Sequence, residues 1–187
     1  NLVPSSKAFG AGSLYLGPSS GTFTVGSTFT VSIYINTGGN DINAIEANLS
    51  FPPDKLQVVS PTIGNSFFKI WFGTPTYSNI TGVLNFRGGV PSPGINTSNG
   101  LITTITFRAK TTGGATINFT DRSKVLLDDG KGSNILTSKT GANLNLILPP
   151  PGGPGVTSPT HPDQNKWYGS DSPYFAWEEN AGIKGYS

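Results

Sequence analysis

The sequence predicts an all-β protein, an antiparallel jelly-roll-like β-sandwich of about nine strands, and three observations favour that fold class. The composition is rich in Thr, Val, Ile, Phe and Tyr, with 25 Gly and 15 Pro residues, whereas only 12% of the residues are charged. Strands and turns use these residues, while soluble helices use Ala, Leu, Glu, Lys and Arg. Hydrophobic and polar residues alternate, and clusters of Gly, Pro, Asn and Asp separate the alternating stretches.

Three long stretches alternate strictly and predict strands with one buried and one solvated face. They cover residues 29–36, 42–51 and 101–110. The side chains that alternation places inward are Phe29, Val31, Ile33, Ile35, Ile45, Ala47, Leu49, Phe51, Ile105, Phe107 and Ala109. Two antiparallel sheets packed face to face would bring these inward sets together as one core.

Shorter apolar stretches predict the remaining strands, at residues 13–16, 55–60, 67–72, 83–88, 116–120, 124–128 and 142–148. Turn-forming clusters lie between strands, at residues 37–40, 51–54, 88–94, 111–114 and 128–132. Many short strands at this spacing are typical of a jelly-roll-like sandwich.

The chain is predicted to have four parts. Residues 1–12 form an N-terminal extension, and residues 13–148 form the sandwich. Residues 149–165 are rich in Pro and Gly, which predicts an extended linker. The aromatic segment 166–187 is too short to form a domain alone, so it predicts a β-type C-terminal tail.

Charge and cysteine content argue against several classes of function. The net charge is +2 and the basic residues are spread along the chain, so we expect no binding to nucleic acid or to a membrane surface. No apolar run approaches the roughly 18 residues that span a bilayer, so membrane insertion is not expected. The chain has no Cys, which excludes thiol nucleophiles and thiolate metal sites. Low charge and abundant Thr, Ser, Asn and Gly favour a secreted protein, either extracellular or at the cell surface.

Residues 13–148 resemble the cohesin domain. The resemblance rests on the opening stretch SLYLGPSSGTFTVGSTFTVSIYINTGG, on INAIEANLSFPPDKLQVVS, on GLITTITFRAK, and on SKVLLDDGKGSNIL followed by ANLNLIL. It implies a nine-stranded jelly-roll sandwich with a non-catalytic role. Members of the family bind dockerin modules in cellulosome scaffolds, and relatives occur as modules of prokaryotic surface proteins. The partner is therefore left open between a dockerin and another protein.

The segment beyond the linker resembles the first strands of a fibronectin type III or other immunoglobulin-like module, on the residues THPDQNKWY, FAW and GYS. Burying each large aromatic ring of this tail would contribute roughly 2–3 kcal/mol. We therefore predict that it docks on a protein partner or on a neighbouring copy of the chain, by strand addition at a sheet edge. An alternative is that it folds back on its own sandwich. The predicted partner-binding residues are Trp167, Tyr168, Phe175 and Trp177.

The stretch FFKIWFGTPTY at 67–77 has two interpretations. The favoured one is a strand that turns Phe68, Ile70 and Phe72 into the core and Phe67, Lys69 and Trp71 outward. The alternative is an exposed row of rings that binds polysaccharide. Its carbohydrate-binding residues would be Phe67, Trp71 and Tyr77.

The loop DDGKGSN offers oxygen ligands of the kind that calcium prefers, from Asp128, Asp129 and Asn134. Its spacing differs from that of an EF-hand, and Asp-Gly turns usually cap their own backbone, so a plain turn is favoured and no cofactor is expected. His161, the one histidine, lies in the proline-rich linker without a second ligand or catalytic partner nearby in sequence.

These observations predict that the chain is not an enzyme. We expect a structural or adhesion module of a cell-surface protein or filament that works through protein–protein contacts. The alternatives are a carbohydrate-binding module and a dockerin-binding cohesin.

Overall fold

The computed structural model describes residues 10–62, 64–153, 155–163 and 165–177. The chain divides between Leu148 and Pro149 into two compact units. The strands of the first unit are β1 (Gly12–Gly17), β2 (Ser20–Thr24), β3 (Thr28–Asn36), β4 (Ile42–Ser50), β5 (Leu56–Thr62), β6 (Ile70–Trp71), β7 (Thr76–Ser78), β8 (Val83–Gly89), β9 (Gly100–Ala109), β10 (Gly113–Phe119), β11 (Lys124–Leu127), β12 (Leu136–Thr140) and β13 (Ala142–Ile147).

These strands form two facing sheets, which confirms the predicted all-β sandwich. One sheet has the order β12-β1-β3-β9-β5. The other has the order β2-β13-β10-β4-β8-β6, with β11 paired to β4 and β7 paired to β8. Strands β2, β7 and β12 were not predicted, because each is a short, Ser- and Thr-rich stretch without hydrophobic alternation.

Two of the strand pairs are parallel, where the sequence predicted antiparallel sheets throughout. Strand β1 runs parallel to β12, and β2 runs parallel to β13. The reason is that the first and last strands of the sandwich both pass from one sheet to the other, β1 into β2 and β12 into β13. Gly141 lies at the second crossing, where a Cβ atom would come within 2.2 Å of the carbonyl oxygen of Ile117.

The core lies between the sheets and contains every inward side chain that alternation predicted. Phe107 is central to it, with Phe29 stacked at a ring-centroid distance of 6.0 Å and Phe51 packed edge-on at 5.5 Å. Burial of such large apolar side chains is the dominant stabilising contribution to a sandwich of this kind. Every buried side-chain N or O atom in the described ranges has a hydrogen-bond partner.

The alternation predicted for residues 67–72 is right at Phe68, which is buried, and at Lys69, which is exposed, and wrong at the other four positions. Ile70 and Phe72 are exposed, whereas Phe67 and Trp71 pack against the core. The cause lies on β8. A Cβ atom at Gly88 would come within 3.3 Å of Trp71 and 3.4 Å of Phe68, so this glycine leaves the space that the two rings occupy.

The second unit contains a short antiparallel pair, β14 (Val156–Thr157) and β15 (Ala176–Trp177). Strand β14 lies within the stretch predicted as a linker, so residues 156–163 belong to a folded loop rather than to a spacer. The tail beyond Trp177 and residues 1–9 lie outside the described residues. Over the described ranges, no helix is long and apolar enough to cross a membrane.

Candidate interaction surfaces

Charged side chains lie together on the outward face of the β4–β8–β11 part of the second sheet. Glu46 on β4 lies directly opposite Arg87 on β8 and, on its other side, Lys124 on β11. The Arg87 guanidinium donates a hydrogen bond of 2.8 Å to Glu46 Oε1. Two cations therefore flank one carboxylate in the middle of a solvated sheet face.

The turn before β11 is fixed to β4 and adds a third cation to this face. Ser123 Oγ donates to the carbonyl oxygen of Asn48 and accepts from its backbone N–H, both at 3.1 Å. The Asn48 side chain donates to the carbonyl oxygen of Arg122 at 3.1 Å. These bonds hold Arg122 beside Lys124 although both side chains are exposed. We call Glu46, Arg87, Arg122 and Lys124 the charged face.

Exposed apolar side chains line the edge of the same sheet. They come from one stretch of chain, residues 70–83, which contains β6 and β7 and pairs along β8. Phe72 is 60% exposed and Ile80 is 89% exposed. We call the group the apolar edge, and its members are Ile70, Phe72, Tyr77, Ile80 and Val83.

The apolar edge is held in place by an amide side chain that links the two sheets. Asn79 Oδ1 accepts from the backbone N–H of Val58 at 2.8 Å, and Asn79 Nδ2 donates to the Val58 carbonyl at 3.0 Å. The Asn79 amide thus pairs with the outer edge of β5 as a neighbouring strand would. This reciprocal pair fixes the loop that carries Tyr77 and Ile80.

The opposite sheet presents a different outward face. Tyr15 and Tyr34 stack there with ring centroids 5.5 Å apart, and the Tyr15 hydroxyl donates to Asn99 at 2.6 Å. Ser32 and Thr104 form a hydrogen bond of 2.8 Å between their hydroxyls. These aromatic and hydroxyl groups already contact one another, so the face offers few free anchors to a partner.

The predicted carbohydrate-binding rings do not form a row. The Trp71 ring packs edge-on against Phe68 and Phe86, at centroid distances of 5.9 and 6.4 Å. Trp71 pairs with Gly88 and Tyr77 pairs with Leu84, which puts them about 13 Å apart along β8. Phe67 packs against the core. A flat platform of coplanar rings is therefore not present at these three residues.

The predicted calcium ligands are engaged with the protein itself. Asp128 accepts hydrogen bonds from Asn43 Nδ2 at 3.0 Å and from Ser92 Oγ at 2.7 Å. Asn134 Oδ1 accepts from the backbone N–H groups of Val125 and Leu136. These contacts join the loop to β4 and to the turn before Gly94.

Asp129, the third predicted ligand, caps its own turn. Hydrogen bonds from the Ser133 hydroxyl and from the Lys131 backbone N–H lower the pKa of Asp129 below its ordinary value. Its Oδ1 atom also accepts from the N–H of Gly132 at 3.0 Å. Among the described residues, no group of three His, Asp or Glu side chains is placed to hold a metal ion.

The predicted partner-binding residues of the tail fall into two groups. Trp167 is fully exposed, and Phe175 and Trp177 are each 55% exposed. Tyr168 instead stabilises the loop: its hydroxyl accepts from the Asp163 N–H at 2.8 Å, and its ring packs edge-on against His161. His161 in turn contacts the Ser170 carbonyl at 2.7 Å. The loop therefore holds the Trp167 backbone while its ring extends into solvent.

Comparison with known proteins identifies the sandwich. A family model described as the cohesin domain matches residues 14–145, which is well over half of the chain. This chain belongs to the cohesin family. Cohesin domains are non-catalytic protein-interaction modules, which confirms the prediction that the chain is not an enzyme. The match ends before the second unit, so the resemblance of that unit to a fibronectin type III module stays a prediction.

Solved structures show the same fold at low sequence identity. The seventh ScaB type I cohesin from Pseudobacteroides cellulosolvens is 20% identical, with a TM-score of 0.60 over 75% of this chain and 95% of that one. The third cohesin of ScaC from Acetivibrio cellulolyticus, solved with the ScaB dockerin, is 18% identical, with a TM-score of 0.59 over 73% and 99%. No curated protein sequence gives a significant match.

The apolar edge has no signal in the hydrophobic alternation of the sequence. Alternation leaves Glu46 outside the inward set of β4, as observed, but it predicts one continuous strand over residues 67–72. The Gly73-Thr74-Pro75 sequence that follows indicates a break between strands at the sheet edge. Glycine readily adopts a positive φ, which is 96° at Gly73, and proline cannot donate to a sheet ladder.

Proposed function

We propose that this cohesin docks a protein partner on the charged face and the adjoining apolar edge. The observation that carries the proposal is that the exposed large apolar side chains of residues 70–83 lie beside a solvated group of cations. Protein interfaces combine aromatic and apolar anchors with Arg at their centres and polar groups around them. The outward face of the other sheet also has an exposed Arg108, but its aromatic rings, Tyr15 and Tyr34, already contact each other.

A dockerin module is the proposed class of partner. Solved cohesins of this fold form complexes with dockerins, such as the ScaB dockerin of Acetivibrio cellulolyticus and Doc435 of Clostridium thermocellum. The cations of the charged face outnumber its single carboxylate, so an acidic or carbonyl-rich partner surface fits it best. A docking role also fits a location outside the cell, as a module of a scaffold or surface protein.

The experiment is a calorimetric titration of the chain with a panel of type I dockerins that includes these two. We expect binding by at least one panel member, weakened about tenfold or more by Phe72→Ala and by Arg87→Ala. Thr30→Ala, on the other sheet, is the matched control and should leave the affinity unchanged. Absence of binding across the panel, or sensitivity to Thr30→Ala alone, would contradict the proposal.

A second docking element is proposed in the C-terminal unit. A fully exposed Trp167 on a loop fixed by Tyr168 and His161 is the kind of rigid aromatic anchor that enters a partner's pocket. Phe175 and Trp177, just before and on β15, add two half-exposed rings to the same unit. Light scattering of the full chain and of Trp177→Ala tests whether the partner is another copy. A molar mass that rises with concentration in the full chain but not in the variant would support this.

A further inference from the structure

The outer strands of the two large sheets differ in how their outward backbone N–H and C=O groups are protected from pairing with another strand. Among the described residues these edges are β5, β6 with β7, β12 and β2. Strand β5 is closed by the Asn79 amide and contains Pro61. Strands β6 and β7 have two and three residues and are interrupted by Pro75. Such features prevent edge-to-edge pairing.

Strand β12 is also protected, and β2 is not. Lys139 on β12 reaches across to the other sheet, where its ammonium contacts Asp121 at 2.6 Å and donates to the Thr120 carbonyl. Strand β2 reads Ser-Gly-Thr-Phe-Thr: it contains no charge, no proline and no irregularity in its pairing with β13. It is the open edge of the larger sheet in the described part of the chain.

The backbone groups that β2 presents to solvent follow from its pairing. The Asn143 N–H donates to the Ser19 carbonyl, and the Val25 N–H donates to the Ile147 carbonyl. Residues 19, 21, 23 and 25 therefore direct their backbone groups toward β13, and alternation directs those of Ser20, Thr22 and Thr24 outward. The Thr24 carbonyl already accepts from the Ser27 N–H at 3.0 Å and from Ser27 Oγ at 2.6 Å, so Ser20, Thr22 and the Thr24 N–H remain to pair with another strand. The side chains of Ser20 and Thr22 are exposed as well.

The outward faces of β2 and β13 carry no formal charge. Ser20, Thr22 and Thr24 share the outward face with three neighbours on β13, and these are Asn143, Asn145 and Ile147. A two-fold axis places each side chain of an edge strand near its symmetry-related copies, so any charge there would face a like charge. The neutral β2 edge meets no such repulsion, whereas the charged face would.

We propose that a second copy of this chain pairs with β2, antiparallel and about a two-fold axis at Thr22. Thr22 of each copy then exchanges two backbone hydrogen bonds with its equivalent, and the Thr24 N–H donates to the Ser20 carbonyl of the other copy. The larger sheet becomes continuous through both molecules. The charged face and the apolar edge lie at the far side of that sheet, so both copies keep their docking surfaces free.

The sharpest test uses the absence of cysteine from the chain. Directly opposed residues in a hydrogen-bonded antiparallel pair have Cα atoms about 5.5 Å apart, within the range that a disulfide spans. Thr22→Cys in the full chain should therefore oxidise to a covalent dimer in high yield. Thr30→Cys, at a residue that is also exposed but lies on the other sheet, is the control and should stay largely monomeric. Equal dimer yields from the two variants would overturn the proposal.

Sedimentation velocity of the reduced, unmodified chain provides the second readout. We expect a mass that rises toward that of a dimer with concentration, and an about tenfold or larger increase in the dissociation constant for Thr22→Lys. Thr22→Pro removes an outward donor but leaves the β13 ladder intact, so it should dissociate the dimer without unfolding the sheet. Thr30→Lys matches the added charge and should behave as the parent. A strict monomer, or loss of the dimer in Trp177→Ala instead, would exclude β2 pairing.

Discussion

The two ends of the larger sheet have opposite properties. At one end, β6 and β7 are short and interrupted, and they expose apolar side chains beside a charged face. At the other end, β2 is continuous, uncharged and flanked by hydroxyl and amide side chains. The first end favours side-chain recognition of a different protein, and the second favours backbone pairing. A single sheet therefore has one edge suited to side-chain anchors and another suited to main-chain hydrogen bonds.

The β6–β7 end of the sheet depends on the side chains packed beneath it, and among the substitutions considered Trp71→Ala should lower stability most. Trp71→Ala removes a ring that packs on Phe68 and Phe86, so we expect the free energy of unfolding to fall by about 2–3 kcal/mol. Urea unfolding followed by far-ultraviolet circular dichroism, which reports on the sandwich strands, measures it. Pull-down on insoluble glycans is the parallel assay, and we expect no glycan affinity in either protein. An unchanged stability together with lost glycan binding would restore the carbohydrate hypothesis.

Asn79 should have the next largest effect. Asn79→Ala leaves the N–H and carbonyl of Val58 without the partner that closes β5, and we expect a loss of about 1–3 kcal/mol in the free energy of unfolding. At neutral pH, Asn79→Asp keeps an acceptor for the Val58 N–H but has no donor for the Val58 carbonyl. We therefore expect it to lose less stability than Asn79→Ala and more than the parent. Thermal denaturation of both variants measures this order. Equal stability of Asn79→Ala and the parent would show that the edge is closed by other contacts.

The smallest effect is expected at the Lys139–Asp121 pair on β12. The hydrogen bond and the charge of Lys139 lower the pKa of Asp121 below its ordinary value of 3.8. Because the pKa of Asp121 is lower in the folded state, the ion pair stabilises the fold at pH values above 3.8. That stabilisation is lost as the pH falls through the lowered pKa. We therefore expect Lys139→Gln to lose less stability than the parent between pH 5 and pH 2, in urea titrations. Parallel pH profiles would contradict this assignment.

The long strands were predictable from sequence because their signal is local. Strict alternation over eight or more residues fixes which side chains face the core, and each inward residue from Phe29 to Ala109 is buried. Strands β2, β7 and β12 were not predictable, because they form against neighbours rather than from their own composition. The parallel pairs were missed for the same reason, since they depend on where the chain crosses between sheets.

The candidate site was predictable only in part. The outward position of Glu46 followed from alternation, but its neighbours Arg87 and Lys124 are set by strand register, which joins residues far apart in the chain. The inward position of Phe68 and Trp71, which leaves Phe72 outside, depends on Gly88, where the missing side chain admits their rings. In the tail, the sequence pattern did not indicate that the Tyr168 hydroxyl holds the loop by accepting from the Asp163 N–H.

The crossing of the terminal strands between layers has a mechanical consequence. Chain enters the sandwich at Gly12 and leaves it at Ile147, and these end strands lie parallel to their neighbours β12 and β2. Tension applied through the two entry points pulls parallel strands in opposite directions along their length. The interstrand bonds are then loaded together in shear instead of opening one after another, so we expect the sandwich to resist stretching more strongly than a fold whose end strands peel apart.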